Sequence, residues 1–236
     1  MRQCSIRQDG EDRVSMPAIR VQDLSHSYGH YQVLRQVTLE ISQGTCYTLL
    51  GANGSGKTTL LRILATLLRP TSGRIEILGR DGVTDKTLIR RSLLFLAHGS
   101  HLYEELNALE NLQFALALRG LFPTPRQLKL VLDRVGIGAF ASMKVRHYSA
   151  GMKKRLSFAK AMLAAPDILL LDEPFTALDH SGVELVQDYI REVLNRNGTI
   201  LMSTHDPEKA RVVSQQVGLL RQGTLHPWTW RQKDAS

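Results

Sequence analysis

The residues of this chain that are best suited to chemistry form an eight-residue loop, which matches the pattern G-x-x-x-x-G-K-[S/T] throughout. It reads Gly-Ala-Asn-Gly-Ser-Gly-Lys-Thr at positions 51–58 and lies between a β-rich apolar run and a helix-patterned run. In such a loop the backbone N–H groups converge on a phosphate, the lysine reaches the β- and γ-phosphates, and the final hydroxyl ligates Mg²⁺. Thr58 is therefore a predicted metal ligand. The predicted nucleotide-binding residues of the loop are Gly51, Asn53, Gly54, Ser55, Gly56, Lys57, Thr58 and Thr59.

A pair of carboxylates, Asp172 and Glu173, follows a fully apolar run at residues 168–171. Ligands of open α/β sheets gather at the carboxyl ends of such buried strands. Asp172 is predicted to hold Mg²⁺ directly or through water, and Glu173 to orient and deprotonate an attacking water. A single acid after a strand often only caps the next helix, but an acid pair after four aliphatic residues in a chain with this loop favours hydrolysis of a nucleoside triphosphate.

Composition limits the possible classes of protein. The chain has 236 residues, of which 43% are hydrophobic and 22% charged, as is ordinary for a globular protein. No apolar run approaches the ~18 residues that span a bilayer, and the polar first residues are unlike a secretory signal, so a cytoplasmic protein is expected. Cys4 and Cys46 have no metal-binding spacing. The formal net charge is +8. The lysine and arginine residues are densest at 144–160, and this cluster is interpreted mainly as a solvated helix face. No nucleic-acid partner is expected.

The order of the predicted elements indicates an α/β fold with a helical insertion. Residues 1–16 are polar and unpatterned and are predicted to be a flexible tail ahead of a single domain at 17–230. Within it, 17–98 and 161–230 are assigned to a nucleotide-binding core and 99–160 to a helical subdomain. The strands expected before the phosphate loop are short. Helices are expected at 58–68, 108–118, 125–135 and 183–194.

A third motif, Tyr148-Ser149-Ala150-Gly151-Met152, lies between the two halves of the predicted site, just before a basic helix pattern. With this motif the chain resembles the ATP-binding cassette (ABC) ATPases, whose signature usually reads Leu-Ser-Gly-Gly-Gln. Ser149 and Gly151 are retained, and a hydroxyl and a glycine N–H at the start of a helix suit the γ-phosphate of a nucleotide. In the family this element completes the ATP site of another subunit, so the resemblance implies a homodimer or pseudo-dimer of ATPase domains when ATP binds.

The resemblance covers about residues 18 to 225 and implies further properties. The implied fold is a P-loop NTPase (RecA-like) core with an antiparallel β-subdomain and an inserted helical subdomain, and the implied ligands are ATP and Mg²⁺. Tyr28 corresponds to the aromatic residue that stacks on adenine, with Tyr31 the less favoured candidate. His205 corresponds to the histidine that contacts the γ-phosphate. The segment 177–179 corresponds to the loop that passes signals across the dimer.

His98 departs from the family pattern, because it stands where the family usually places a glutamine that meets Mg²⁺ and the attacking water. A neutral imidazole is able to ligate a metal or to hydrogen-bond water, whereas the cation formed on mild acidification would repel Mg²⁺. The hypothesis is that His98 takes over the role of the glutamine and belongs to the catalytic set. A tolerated loop residue without a role in catalysis is an equal alternative.

Four features together are similar to the ATPase subunits of cytochrome c maturation transporters, the haem-exporter group: His98, 108–111, 149–151 and 174–179. This resemblance implies an ATPase subunit that lies on the inner face of the cell membrane and works with separate integral membrane subunits. The alternatives are the ATPase of a lipid or drug exporter and, less favoured, a non-transport ABC protein that acts on nucleic acid or ribosomes. A P-loop kinase is disfavoured by Ser149-Ala150-Gly151 and by Glu173, because a kinase excludes an activated water.

Overall fold

The structure is a computed structural model that describes residues 16–99 and 101–230. The predicted tail lies outside these residues, except for the exposed Met16. The strands of the described residues are β1 (Pro17–Tyr28), β2 (Tyr31–Ser42), β3 (Cys46–Leu50), β4 (Ser72–Ile77), β5 (Arg80–Asp81), β6 (Leu93–Leu96), β7 (Ile168–Asp172), β8 (Thr199–Thr204), β9 (Gln216–Arg221) and β10 (Thr224–Pro227). The α-helices of the described residues are α1 (Lys57–Leu64), α2 (Lys86–Ser92), α3 (Ala108–Ala117), α4 (Pro125–Arg134), α5 (Ala150–Ala164), α6 (His180–Asn195) and α7 (Pro207–Arg211).

The smaller sheet is antiparallel, with the order β2-β1-β4-β5. Its first two strands have 12 residues each and are longer than the short strands expected from the sequence. Register shifts interrupt their pairing, one of them between Val21 and Leu24, and Asp23 there has a φ of 48°. Such a bulge inserts an unpaired residue without ending the strand. Both apolar residues that flank this bulge are consequently fully buried.

The larger sheet has the order β10-β9-β3-β8-β7-β6, and all neighbours except β9 and β10 are parallel. The central strands β3, β7 and β8 are buried along their entire length. Parallel strands end at a common edge, where ligands of α/β sheets bind. This edge brings together the residues that follow β3, β6, β7 and β8.

Helix α1 ends at Leu64, four residues before the end expected from the pattern. Thr66 takes the left-handed conformation with a φ of 60°, which stops the helix. Arg90 donates to the Thr66 side chain at 2.7 Å and to its carbonyl at 2.9 Å. A side chain of α2 therefore helps to fix the end of α1, and the local sequence does not show this.

Helices α3, α4 and α5 share an apolar cluster of their own, which includes the fully buried Leu112, Leu132 and Leu156. The starts of α3 and α4 are both closed by reciprocal capping boxes, at Asn107 and Thr124. The predicted division into a core and a helical subdomain stays a prediction, and α5 runs through its boundary near residue 160. Among the described residues, no helix combines the length and the apolar character that a bilayer crossing needs.

Candidate nucleotide site

The loop between β3 and α1 has the backbone geometry of a phosphate cradle. Gly54 and Gly56 have φ values of 78° and 108°, in the region that favours glycine. A Cβ added to Gly56 would lie 2.8 Å from Leu34 Cδ2 and 3.2 Å from the Val33 carbonyl, so there is also little room for a side chain at this position. The N–H groups of Gly54 and Gly56 donate to no other group of the described residues. These free donors at the start of a helix fit an anionic phosphate.

Lys57 is folded over this loop. Its ammonium donates to the carbonyls of Gly51 at 2.6 Å and Ala52 at 3.1 Å, and it lies 4.0 Å from Glu173 Oε1. Burial lowers the pKa of Lys57, and the charges of Glu173 and Asp172 oppose that shift. The positive charge is thus held where the phosphates of a nucleotide would lie.

Asp172, Thr58 and Ser203 form a hydrogen-bonded group at the end of β7. Thr58 Oγ1 donates to Asp172 Oδ2 at 2.8 Å, and Ser203 Oγ donates to Asp172 Oδ1 at 2.6 Å. The adjacent hydroxyl and carboxylate oxygens are ligands that suit Mg²⁺. In residues 16–99 and 101–230 no group of three or more His, Cys, Asp and Glu side chains is arranged to hold a metal ion. The Thr58 and Asp172 oxygens would suit a cation that is shared with substrate phosphates, as Mg²⁺ commonly is.

Glu173 follows directly and points its carboxylate into the same space. Its backbone has a φ of 50°, and its N–H donates to the carbonyl of Ser203 at 3.1 Å. Glu173 Oε2 lies 2.9 Å from Nδ1 of His205, which follows β8. The side chain of Glu173 is 13% exposed and that of His205 is 61% exposed. The carboxylate is thus within reach of a small molecule in the space beside it.

These side chains share one cleft of about 690 Å³, a volume in the usual range for a small-molecule site. Gly51 does not line it and contributes through its carbonyl to Lys57. The predicted site residues that line the cleft are Asn53, Gly54, Ser55, Gly56, Lys57, Thr58, Thr59, His98, Asp172, Glu173 and His205.

Besides Gly51, three predicted site residues do not line this cleft: Tyr28, Ser149 and Gly151. Tyr28 is 48% exposed and packs edge-on against His26 at 4.7 Å. Ser149 caps α5 by accepting from the Met152 N–H at 3.2 Å. A Cβ on Gly151 would lie 2.9 Å from the carbonyl of Ala177. Their predicted roles in nucleotide binding stay predictions, and those of Ser149 and Gly151 require a second copy of the chain.

His98 is exposed and lines the cleft, so its predicted catalytic role leads to an expected result. His98→Ala should lower the kcat for ATP hydrolysis roughly tenfold, because it removes the ring nitrogens that would hydrogen-bond the attacking water, whereas His98→Gln keeps a hydrogen-bonding group and should retain most of the activity. Steady-state rates of both variants and of the wild-type chain measure the difference. His101→Ala is a matched control, because that exposed histidine also borders the cleft. An unchanged kcat in His98→Ala would show that His98 has no such role.

Two residues that bind the acid pair, Ser203 and Lys154, were not predicted from the sequence. Lys154 Nζ donates to the backbone carbonyl of Glu173 at 2.8 Å. Burial lowers the pKa of Lys154 to about 8, although the charges of Asp172 and Glu173 oppose the shift. The interpretation as a solvated helix face is therefore wrong for Lys154. Its neighbour Lys153 does form a surface ion pair, and nothing in the sequence distinguishes the two lysines.

The fold and this cleft define a P-loop nucleoside triphosphatase. Residues 34–176 match the model of the family described as ABC transporter. The uncharacterized ABC transporter ATP-binding protein YxlF of Bacillus subtilis is 39% identical over 209 residues, which are 88% of this chain and 69% of YxlF. The daunorubicin resistance ATP-binding protein DrrA3 of Streptomyces coeruleorubidus is 35% identical over 210 residues, 88% of this chain and 66% of DrrA3. This chain thus spans about two thirds of the length of these relatives.

A solved structure extends the similarity to the whole fold. It is the dimeric, post-hydrolysis state of the ATP-binding cassette MJ0796 bound to ADP and Pi, with a TM-score of 0.81 and 25% sequence identity. The match covers 90% of this chain and 100% of that one. It confirms the predicted mixed α/β fold with a P-loop NTPase core. The chain belongs to the ABC transporter family of ATP-binding proteins and is an ABC ATPase.

Proposed function

We propose that this chain is the ATP-binding and ATP-hydrolysing subunit of a membrane transporter, with Mg²⁺ as its cofactor. The observation that carries the proposal is the convergence of Lys57, Thr58, Asp172 and Glu173 on one cleft. Thr58 donates to Asp172 at 2.8 Å, and the Lys57 ammonium lies 4.0 Å from the Glu173 carboxylate. Family membership supports the same function.

Each residue has a role that follows from its geometry. The free N–H groups of the loop and the Lys57 ammonium bind the β- and γ-phosphates of ATP. Thr58 and Asp172 would hold Mg²⁺, which would neutralise phosphate charge when bound. Glu173 accepts the proton of the attacking water, and its bond to His205 orients the carboxylate.

A second copy of the chain completes the site in this proposal. The signature residues Ser149 and Gly151 stand at the start of α5, where helix N–H groups favour an anion, yet they do not line the cleft of their own chain. In a head-to-tail dimer they would face the γ-phosphate held by the partner. ATP then joins the two copies, and its hydrolysis releases them.

Integral membrane subunits are the proposed partners, which would place the chain at the inner face of the cell membrane. The helical part of the chain exposes large apolar side chains, among them Tyr103 and Phe114, whose rings pack edge-on at 4.9 Å. Leu118 and Phe122 are even more exposed, at 73% and 82%. An exposed apolar set of this kind often marks a protein contact. Leu112, in the same helix as Phe114, is not part of this exposed set, because it is buried in the apolar cluster of α3, α4 and α5.

The proposed transport class is that of the cytochrome c maturation, or haem-exporter, ATPases. Support comes from the combination of His98 with the segments 108–111, 149–151 and 174–179, which resembles that group. The daunorubicin resistance relative favours a second candidate, an exporter of drugs or lipids. The cleft itself does not discriminate between them, because transported substrates bind to the membrane subunits.

Deletion and complementation in the source organism test the proposal. We expect loss of covalent haem attachment to c-type cytochromes, which the wild-type chain restores and Lys57→Ala does not. The chain should also co-purify with an integral membrane protein and hydrolyse Mg-ATP without an acceptor. Normal cytochromes together with lost drug resistance would favour the second candidate. Co-purification with nucleic acid instead of a membrane protein would contradict both.

A further inference from the structure

The conformation of Glu173 requires an explanation that the nucleotide cleft alone does not supply. Its φ of 50° lies in the left-handed region, which costs free energy for any residue with a Cβ. Such a conformation persists only when the surroundings hold it. It also determines the direction of the side chain, whose Oε2 lies 2.9 Å from Nδ1 of His205. Groups that bind the backbone of Glu173 therefore position its carboxylate.

Both polar groups of the Glu173 backbone are bound. The N–H donates to the carbonyl and the hydroxyl of Ser203, at 3.1 and 3.3 Å. The carbonyl accepts from Lys154 Nζ at 2.8 Å and from the Thr176 N–H at 3.4 Å. Only the first of these two distances is in the normal range of an N–H···O bond. Strand β8 thus fixes one side of the residue and Lys154 the other.

Lys154 is suited to this task because it has little else to bind. Its ammonium donates to this one carbonyl and to no other group among the described residues. Lys153, one position earlier, instead donates to Glu104 at 2.6 Å. A partly buried ammonium makes a stronger hydrogen bond to a carbonyl than a neutral donor does. The contact is consequently a specific link between α5 and the end of β7.

We infer that Lys154 is a positioning residue for hydrolysis: its ammonium holds the Glu173 carbonyl and keeps the carboxylate aimed at the attacking water. The inference rests on the proposed role of Glu173 as the base. Because Ser149 caps α5 and α5 carries Lys154, the helix that would contact the nucleotide of a partner also holds the base of its own site. Glu173 and Asp179 lie at the two ends of the loop between β7 and α6. Arg155 strengthens the link between α5 and this loop, since it donates to Asp179 at 2.7 Å.

Lys154→Met tests the inference, because it keeps an apolar stem of similar length and removes the donor. We expect the kcat for ATP hydrolysis in the full chain to fall roughly tenfold, as for loss of one charged hydrogen bond in the transition state. The dissociation constant for ATP, from equilibrium dialysis, should stay within about twofold, because Lys154 does not line the nucleotide cleft. Lys154→Arg keeps a cationic donor and should recover most of the lost activity.

Two controls separate positioning from general damage to the fold. Lys153→Met removes the neighbouring ammonium and should leave kcat unchanged, and the melting temperatures of all variants should agree within a few degrees. In a Glu173→Gln background, Lys154→Met should lower single-turnover hydrolysis of radiolabelled ATP by less than about twofold, since there is no base left to position.

Three results would overturn the inference: an unchanged kcat in Lys154→Met, an Arg variant no better than the Met variant, or a full further loss in the Glu173→Gln background. The failure of the proposed function is recognised separately. If Glu173→Gln alone kept full activity, Glu173 would not be the base. If Glu173→Gln lost activity and Lys154→Met did not, only the role of Lys154 would be wrong.

Discussion

Glu173→Gln is expected to reduce steady ATP hydrolysis by roughly 10²–10⁴-fold, because an amide of the same shape is unable to accept the proton of the attacking water. Binding of ATP should be retained, since the phosphate loop and Lys57 are untouched. With hydrolysis blocked, the ATP-bound dimer should accumulate. Size-exclusion chromatography in Mg-ATP would then show a dimer, and a coupled phosphate assay would show almost no turnover.

The matched control for this substitution is Glu208→Gln, which neutralises an exposed glutamate outside the cleft. Its turnover should equal that of the wild-type chain, and it should not trap a dimer. A monomer peak for Glu173→Gln in Mg-ATP would argue against the assigned base. Normal turnover would exclude it directly.

The second large effect is expected for Lys57→Ala, which should abolish measurable ATP binding. The ammonium is held over the loop by two carbonyls at 2.6 and 3.1 Å, and removing it takes away the cation that faces the phosphates. Charge-assisted contacts with phosphate are among the strongest hydrogen bonds in proteins, so an affinity loss of roughly 100-fold or more is expected. Isothermal titration calorimetry with Mg-ATP measures it.

Lys57 is only 6% exposed, so an alanine there also removes buried packing. Lys57→Met keeps the stem and separates loss of charge from loss of volume, and it should bind ATP as poorly as the alanine variant. Lys129→Ala, at an exposed position of α4, should bind normally. Unchanged ATP affinity in both Lys57 variants would contradict the assignment of this loop.

The features that were predicted correctly from the sequence are those that depend on residues close together in the chain. The glycine spacing of 51–58 predicts backbone conformations that only glycine adopts easily, and Gly54 and Gly56 do have positive φ values. The apolar run at 168–171 predicts a buried parallel strand, and β7 is buried along its whole length. Since such strands end at one edge, the meeting of Asp172 with Thr58 also follows from pattern and topology rules.

The lengths of β1 and α1 were predicted wrongly, because they depend on contacts with residues far away in the chain. The alternation of apolar and polar residues in β1 breaks after Val21. The bulge at Asp23 lets the strand continue past this point, because pairing with β2 and β4 holds it. Helix α1 stops at Leu64 although its apolar pattern continues, and an arginine of α2 binds the residue that follows. Neither interaction has a signature in the local sequence.

The sequence by itself determined the class of chemistry, since the phosphate loop and the acid pair each consist of consecutive residues that a local pattern predicts. Only the tertiary structure decided how the base is held. Lys153 and Lys154 are identical side chains at adjacent positions, yet one pairs with a surface glutamate and the other with the carbonyl of Glu173. Successive side chains of a helix point about 100° apart, so the position of α5 beside the end of β7 selects which lysine reaches the Glu173 carbonyl. That choice depends on how elements far apart in the chain pack, and spacing alone does not contain it.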